Sequence, residues 1–384
     1  MEQTFQPIRL KQARHLKRFT LEDLAERVGV SRQSINFFEL GERAPAPSTL
    51  IKIADALEMP VRFFSKPFGR IESSQRSLVQ YRSLERERRK AKERQRSSTL
   101  MDFGAAVLDL LNRHVEFEAV NLPDLFSSKV DPLRIEPEEI EAGAVGLRRY
   151  WGLGEGPISD LTLLIENNSI PVISTKLTEG MEGLSAWYGA RPFILTSSAA
   201  NFYRARMNVA HELGHLVLHR GLDEEVMEDR ASFKIIEAQA WRFAGAFLLP
   251  ATSFLSELYS TSLDGLLILK NRWGVSVAAM VSRLRDLDVI DDSKRSYLMA
   301  QLNQRKWRKS EPGDTEREVE KSQLFNEVIR VIGENGVLYV EDLARESCLP
   351  ISFLMDALLL TREELEGSVE QSNVINFRMR NARI

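Results

Sequence analysis

The sequence predicts a mainly α-helical chain with one small β-sheet, an α+β protein of several domains. Three observations carry this. The chain has 384 residues, more than one core ordinarily organises. Most of it reads as short amphipathic helices separated by caps and glycines. The exception is "IPVISTKLTEGMEGLSAWYGARPFILTSS", residues 170–198, where β-rich runs alternate with glycine-containing turns.

Composition narrows the classes. No stretch approaches the ~18 apolar residues of a membrane span, and the opening "MEQTFQPIRLKQARHLKR" has no apolar core of a secretory signal. Cys348 is the sole cysteine, which excludes an internal disulfide and a cysteine-based metal cluster. A reducing, cytoplasmic location is expected. The net charge of −3 hides an asymmetry. Residues 1–100 carry 21 Lys+Arg against 12 Asp+Glu, a balance of +9; chain totals of 52 and 55 leave the rest at −12. A basic head on an acidic body predicts that the head meets a polyanion.

The head resolves into short capped helices. Thr20 with Asp23 forms a capping box and opens a helix carrying Leu21, Leu24, Ala25 and Val28, which Gly29 stops. Ser31 caps a second helix with Ile35 and Phe38 inward, and Gly41 ends it. Pro45 and Pro47 hold an extended link, and Ser48 caps a further helix to Leu57. Two short helices around a glycine turn are the pattern of a DNA-reading helix-turn-helix; the bland alternative is a small helical protein-binding domain.

Over residues 7–65 this stretch resembles the phage-repressor family (Cro/C1, or XRE), carried by "TLEDLAERVGVSRQSINFFELG". The resemblance implies that the second helix enters the major groove of double-stranded operator DNA. Arg32, Gln33, Asn36 and Phe37 would then read bases, and Ser31 and Ser34 would lie near phosphate. Arg and Gln suit the paired acceptor and donor edges of guanine and adenine. Arg14 and Glu39 match a structural ion pair of the family. Leu21 stands where many relatives carry Gln, so one backbone contact of the family is missing from the pattern.

Beyond Phe64, a charged run passes into helical spacing of Leu100, Phe103, Ala106, Val107, Leu110 and Leu111, read as one or two linking helices. The charge run reads as a solvated face, with extra phosphate contacts from Arg86 to Arg96 as the lesser alternative.

The densest chemistry is His211-Glu212-x-x-His215. On a helix, residues four apart lie about 40° around the axis and ~6 Å along it, so both histidines can face one ion. Glu212 projects about 100° away, where it can reach a water held by the metal and act as a base. Val209, Ala210, Leu213, Leu216, Val217 and Leu218 make the helix apolar almost all round, as in a buried helix. Gly214 weakens the helix by about 1 kcal/mol against Ala, which predicts a close neighbour. A buried core histidine is the ordinary alternative, but it accounts for one of these three polar groups and not all.

A catalytic zinc site needs a third protein ligand. The extra Gly and His of metzincins have no match in "HLVLHRGLDEE". Glu224, Glu225 and Asp229 sit in a polar connection and read as solvated. Glu237 leads an inward stripe of Ala240, Trp241, Ala244 and Leu248 and is the expected ligand. His219, at the helix end, reads equally as structural support behind the ligands or as catalytic. Tyr188 and Tyr203 are the oxyanion-donor candidates.

"RARMNVAHELGHLVLH" followed by "EAQAWRFAGAFLLP" resembles the ImmA/IrrE family of zinc metallopeptidases. With "LRRYWGLGEGPISDLTLLIENNSIPVI" and "GLSAWYGARPFILTSS", the likeness covers residues 135–255. It implies Zn²⁺ as cofactor, Glu237 as third ligand and Gln239 as a variable position. Relatives of this kind cleave or otherwise inactivate a phage-type repressor and so derepress its operon. The β-rich segment predicts a small sheet beside the active-site helix whose edge accepts a peptide strand.

The last third reads as helices carrying Met280, Leu284 and Leu287, a polar run around Pro312, then "VLYVEDLARESCLPISFLMDALLL", which repeats the rhythm of the head without its basic residues. Protein contact is expected there, and residues 367–384 read as frayed. The expected organisation is a helix-turn-helix domain at 1–66, a charged helical linker at 67–134, a metallopeptidase-like domain at 135–255, a helical extension at 256–312 and a small helical domain at 313–384. The expected function is a homodimeric operator-binding regulator, a repressor, with an intrinsic zinc endopeptidase acting on a repressor or on itself. Two alternatives stand: a non-catalytic regulator whose peptidase-like domain senses a ligand, metal or partner, and an antitoxin whose C-terminal part masks a partner.

Overall fold

The computed structural model describes residues 5–65, 76–79, 87–126, 131–177, 182–220, 222, 226, 229–351, 354–355 and 377–379. The fold is mainly helical with a small sheet. Helices α1 (Pro7–Leu16), α2 (Leu21–Val28), α3 (Arg32–Leu40) and α4 (Pro47–Leu57) form the head. Thr20 Oγ1 accepts from the Asp23 amide at 3.0 Å while Asp23 Oδ2 accepts from the Thr20 amide at 2.7 Å. Ser31 Oγ accepts from the Ser34 amide at 3.1 Å. Gly29 and Gly41, with φ of 75° and 76°, end α2 and α3 in the left-handed conformation. The start of α4 corrects the expectation. Ala46, not Ser48, is the N-cap, and Pro47 fills the first helical position, where its missing N–H would have had no partner anyway.

A short 3₁₀ turn (Val61–Ser65) closes the head, followed by β1 (Arg76–Val79), the linking helix α5 (Glu87–Leu111) and β2 (Val115–Phe117). The central part contains a 3₁₀ turn (Pro132–Arg134), α6 (Pro137–Tyr150), α7 (Leu161–Asn167), β3 (Val172–Thr175), β4 (Gly183–Tyr188), β5 (Arg191–Ser197), α8 (Phe202–Leu218) and α9 (Arg230–Leu248). Then come α10 (Ala251–Ser256), α11 (Leu263–Trp273), α12 (Val277–Asp286), α13 (Asp292–Gln304), α14 (Leu324–Glu334), α15 (Val340–Ser347) and β6 (Phe377–Met379).

The sheet has the order β1-β4-β5-β3, with β4 antiparallel to both neighbours and β3 parallel to β5. Strand alternation buries both faces. Leu184, Ala186, Tyr188, Phe193 and Leu195 join a core with α5, the head and the C-terminal helices. Trp187 and Ile194 join a second core with α8, α9 and α12. The head is therefore not a bead on a string. Arg9 of α1 lies 4.6 Å over Phe63 and 5.8 Å over Phe103 of α5. Asp102 of α5 accepts from Gln12 of the head at 3.2 Å and from the Tyr188 hydroxyl of β4 at 2.8 Å.

Two expectations change in the C-terminal part. Residues 367–384 are not uniformly frayed: Phe377–Met379 pairs antiparallel with Val115–Phe117, the V-E-F and F-R-M alternations supplying matching strand patterns. Of the helix-turn-helix rhythm of the tail, α15 is present, with Cys348 in the left-handed cap position, but the would-be reading helix lies largely outside the described residues. The start of α14 is tied to α7, because Glu166 accepts from Ser322 Oγ at 2.7 Å and from the Gln323 amide at 2.8 Å. Among the described residues, no helix is long and apolar enough to cross a membrane.

Candidate metal centre

Helix α8 starts at Asn201, whose Oδ1 accepts from the Arg204 amide at 2.9 Å, and runs through the middle of the second core. Packing against α9 is close because residue 214 is glycine: a Cβ there would stand 3.1 Å from the Ala240 carbonyl oxygen and from the Phe243 ring. That contact is the close neighbour the sequence anticipated. It brings Glu237 of α9 to the two histidines of α8. His211 Nε2 and His215 Nε2 lie 2.9 Å apart, and Glu237 Oε1 is 3.7 and 3.5 Å from them.

These separations bracket those of ligands sharing an ion. Donors at about 2.0–2.1 Å from a tetrahedral centre stand about 3.3–3.4 Å from one another. Glu237 Oε1 is buried and accepts no hydrogen bond among the described residues. Two imidazoles and one carboxylate, converging and mostly buried, fit a divalent cation. His215 is fully buried, and burial first, then the neighbouring His211, push its pKa well below the usual histidine value. It is therefore held in the neutral form that ligates.

Glu212 points to the sheet. Its Oε2 accepts from Ser185 Oγ of β4 at 2.7 Å, and a Cβ at Gly183 would stand 2.6 Å from its Oε1. Burial lifts its pKa to about 7, against the lowering influence of His211 and Ser185. Ser185 and Gly183 were invisible to sequence reasoning, since only strand pairing and the packing of β4 on α8 bring them to Glu212.

Several expectations need correction. Trp241 does not follow Ala240, Ala244 and Leu248 inward. It is 39% exposed, and its ring lies over His211 with centroids 4.0 Å apart. Glu237 and Trp241, one turn apart, share a face of α9 that meets the histidines of α8. The hydroxyls of both candidate oxyanion donors are engaged elsewhere: Tyr188 donates to Asp102 and Tyr203 to Asn271. Asp229 is exposed, in keeping with its solvated reading, and is the N-cap of α9, accepting from the Ser232 amide at 2.8 Å, while Glu224 and Glu225 lie outside the described residues. His219 is fully buried, bonded to His215 Nδ1 and to Gln239, with its pKa lowered by burial to about 4.

In the head, Ser31, Arg32 and Gln33 are exposed, and Ser34, Asn36 and Phe37 partly so, along α3. Ser31 is occupied as the cap, and Arg32 pairs at 2.5 Å with Glu22, both exposed. The Arg14 guanidinium bonds both oxygens of Glu39, at 2.6 and 2.7 Å, which is the ion pair the family likeness implied. Arg86 lies outside the described residues, and Arg96 turns inward to Glu93 at 3.1 Å.

Comparison with known families agrees with this geometry. Residues 10–64 match the helix-turn-helix family, and residues 165–285 match the IrrE N-terminal-like domain. The second segment contains His211, Glu212, His215 and Glu237. An uncharacterized HTH-type transcriptional regulator of Bacillus subtilis (strain 168), YqaE, is 33% identical over 57 residues, 15% of this chain and 49% of that relative. The chain thus spans about half the length of that relative. It joins a helix-turn-helix region of the DNA-binding type to an IrrE-like, peptidase-type domain.

Proposed function

We propose that this chain is a DNA-binding regulator, a repressor acting as a homodimer on duplex operator DNA, whose fused domain is a zinc-dependent endopeptidase. Its substrate is a protein segment, either another repressor or this chain itself. The convergence of His211, His215 and Glu237 beside a buried Glu212 carries the reading. Those three residues would hold Zn²⁺, which when bound lowers the pKa of water toward ~7 and polarises a scissile carbonyl. Glu212, poised near neutrality and held by Ser185, is suited to take a proton and to return it to the leaving amine. Trp241 covers one face of His211 and limits its exposure to water.

In the head, Arg32, Gln33, Asn36 and Phe37 would read base edges, with Ser31 and Ser34 near phosphate. The exposed Arg32–Glu22 pair contributes little and yields to DNA easily. The charge of the first hundred residues supports this face as the polyanion contact.

One observation favours the second reading, a non-catalytic sensor. The edge of β4 beside Glu212, where a peptide would add as a strand, is taken by the chain's own β1, with Val79 opposite Ser185. A substrate would have to displace that strand or bind differently. The test is incubation of the zinc-reconstituted protein with a proteome-derived peptide library, read by mass spectrometry. New termini made by the parent, absent with Glu212→Gln, support the peptidase; identical digests from both leave the sensor.

A further inference from the structure

The hydrogen bonds behind the triad run in one direction only. Gln239 Nε2 lies 2.9 Å from the carbonyl oxygen of Pro132 and 3.3 Å from that of Ile135. Two acceptors on that side fix the amide, with its nitrogen toward the carbonyls and Oε1 away. Oε1 is 2.8 Å from His219 Nε2, so that nitrogen carries a proton and donates it. His219 is fully buried, and neither ring nitrogen faces a carboxylate. A charged ring there would be costly, so it is neutral and its Nδ1 is a bare acceptor. His215 Nδ1, 2.8 Å away, must then be the donor. A neutral His215 with its proton on Nδ1 has a lone pair on Nε2, the atom facing His211 and Glu237.

We propose that His219 and Gln239 are positioning residues that, through the carbonyls of Pro132 and Ile135, set the tautomer of His215 needed by a divalent cation. The opposite tautomer puts a hydrogen where the ion would sit. Metal-binding histidines commonly donate their second N–H to a carboxylate, carbonyl or water, and that support tunes affinity. Here an imidazole takes that place, and a glutamine anchored on backbone aligns it. The chain of bonds also polarises His215 toward a more basic Nε2. Spacing of four along α8 aligns His211, His215 and His219, but nothing local in the sequence pairs His219 with Gln239.

The proposal rests on reading the triad as a metal site, and the experiment separates the two. With only five histidines in the chain, long-range ¹⁵N–¹H spectra of the metal-free, ¹⁵N-histidine-labelled protein report each tautomer. The parent should show His215 protonated on Nδ1. In Gln239→Leu, His219 loses the acceptor for its Nε2 proton, so the His215 proton should redistribute to Nε2. Zinc affinity by chelator competition should fall about 10–100-fold. A parent His215 protonated on Nε2 would overturn the proposal, as would Gln239→Leu with parental affinity and tautomer. If Gln239→Leu does not fold, the parent spectrum decides: Nδ1–H on His215 together with Nε2–H on His219 supports the relay, and Nε2–H on His215 contradicts it. A parent with the Nδ1 tautomer but no zinc affinity would remove the metal reading and leave the relay standing.

Discussion

The polar side chains at the start of α3 stand in solvent, whereas the polar cluster of α8 is buried. Ser31, Arg32 and Gln33 are exposed on a short helix whose ends are set by one serine and one glycine. His211, Glu212, His215 and His219 are each 5% exposed or less on a helix surrounded by core. An exposed group keeps its water and needs no partner in the free protein, so its geometry is completed only by the ligand. A buried polar group must be satisfied from within: β4 does this for Glu212 and Gln239 for His219, while the triad's Glu237 Oε1 accepts no hydrogen bond among the described residues. The proposed reading face is thus adaptable and the proposed metal face preformed; the first packs on one core and the second on another, with the sheet contributing to both.

The largest way to sharpen that contrast is Glu212→Gln. It should leave zinc stoichiometry intact and lower any peptide cleavage by about 10²–10⁴-fold, the usual share of a general base. Loss of the metal together with activity would mean that Glu212 holds the site together and is not its base.

Next comes Arg14→Ala in the head. Its bidentate pair with Glu39 has side chains only 9% and 7% exposed. Removing one partner leaves a buried charge unpaired, so destabilisation by about 3–5 kcal/mol is expected. Chemical denaturation checks it; a loss under ~1 kcal/mol, the scale of an exposed pair, would show the pair to be solvated.

A smaller effect is expected from Arg32→Ala. If it reads a base, affinity for a selected operator should weaken by about 1–3 kcal/mol and preference relax at one position. Uniform weakening across sequences, with a shallower salt dependence, would make it a phosphate contact instead.

The smallest concerns His15, whose pKa burial, aided by Arg14 and Lys11, lowers to about 3. The folded state then favours the neutral ring. Its contribution is whole above the unfolded value of about 6.5 and is lost as pH falls from there toward 3. Relative to His15→Gln, both in chelator, the parent's urea midpoint should drop faster between pH 7 and 5. Parallel curves would contradict the burial.

Much of this was legible because it is local. Thr20, Gly29, Ser31 and Gly41 bound α2 and α3 as read, and H-E-x-x-H with Glu237 brought the triad into view. At the start of α4 the fixed φ of Pro47 outweighs the capping side chain of Ser48, so the helix begins earlier. Trp241 departs from the inward stripe because the face of α9 that carries Glu237 meets the histidines and not the core. Ser185, Gln239, the β1–β4 pairing and the return of Phe377–Met379 to β2 depend on residues from 20 to more than 250 positions apart. No periodicity carries such pairings.

The most direct test of the account is metal content. Protein purified without a metal-binding tag and reconstituted at neutral pH should carry about one zinc per chain by mass spectrometry, with little in His211→Ala or Glu237→Ala. No zinc in the parent, or equal zinc in all three, would contradict the assignment of His211, His215 and Glu237 as its ligands.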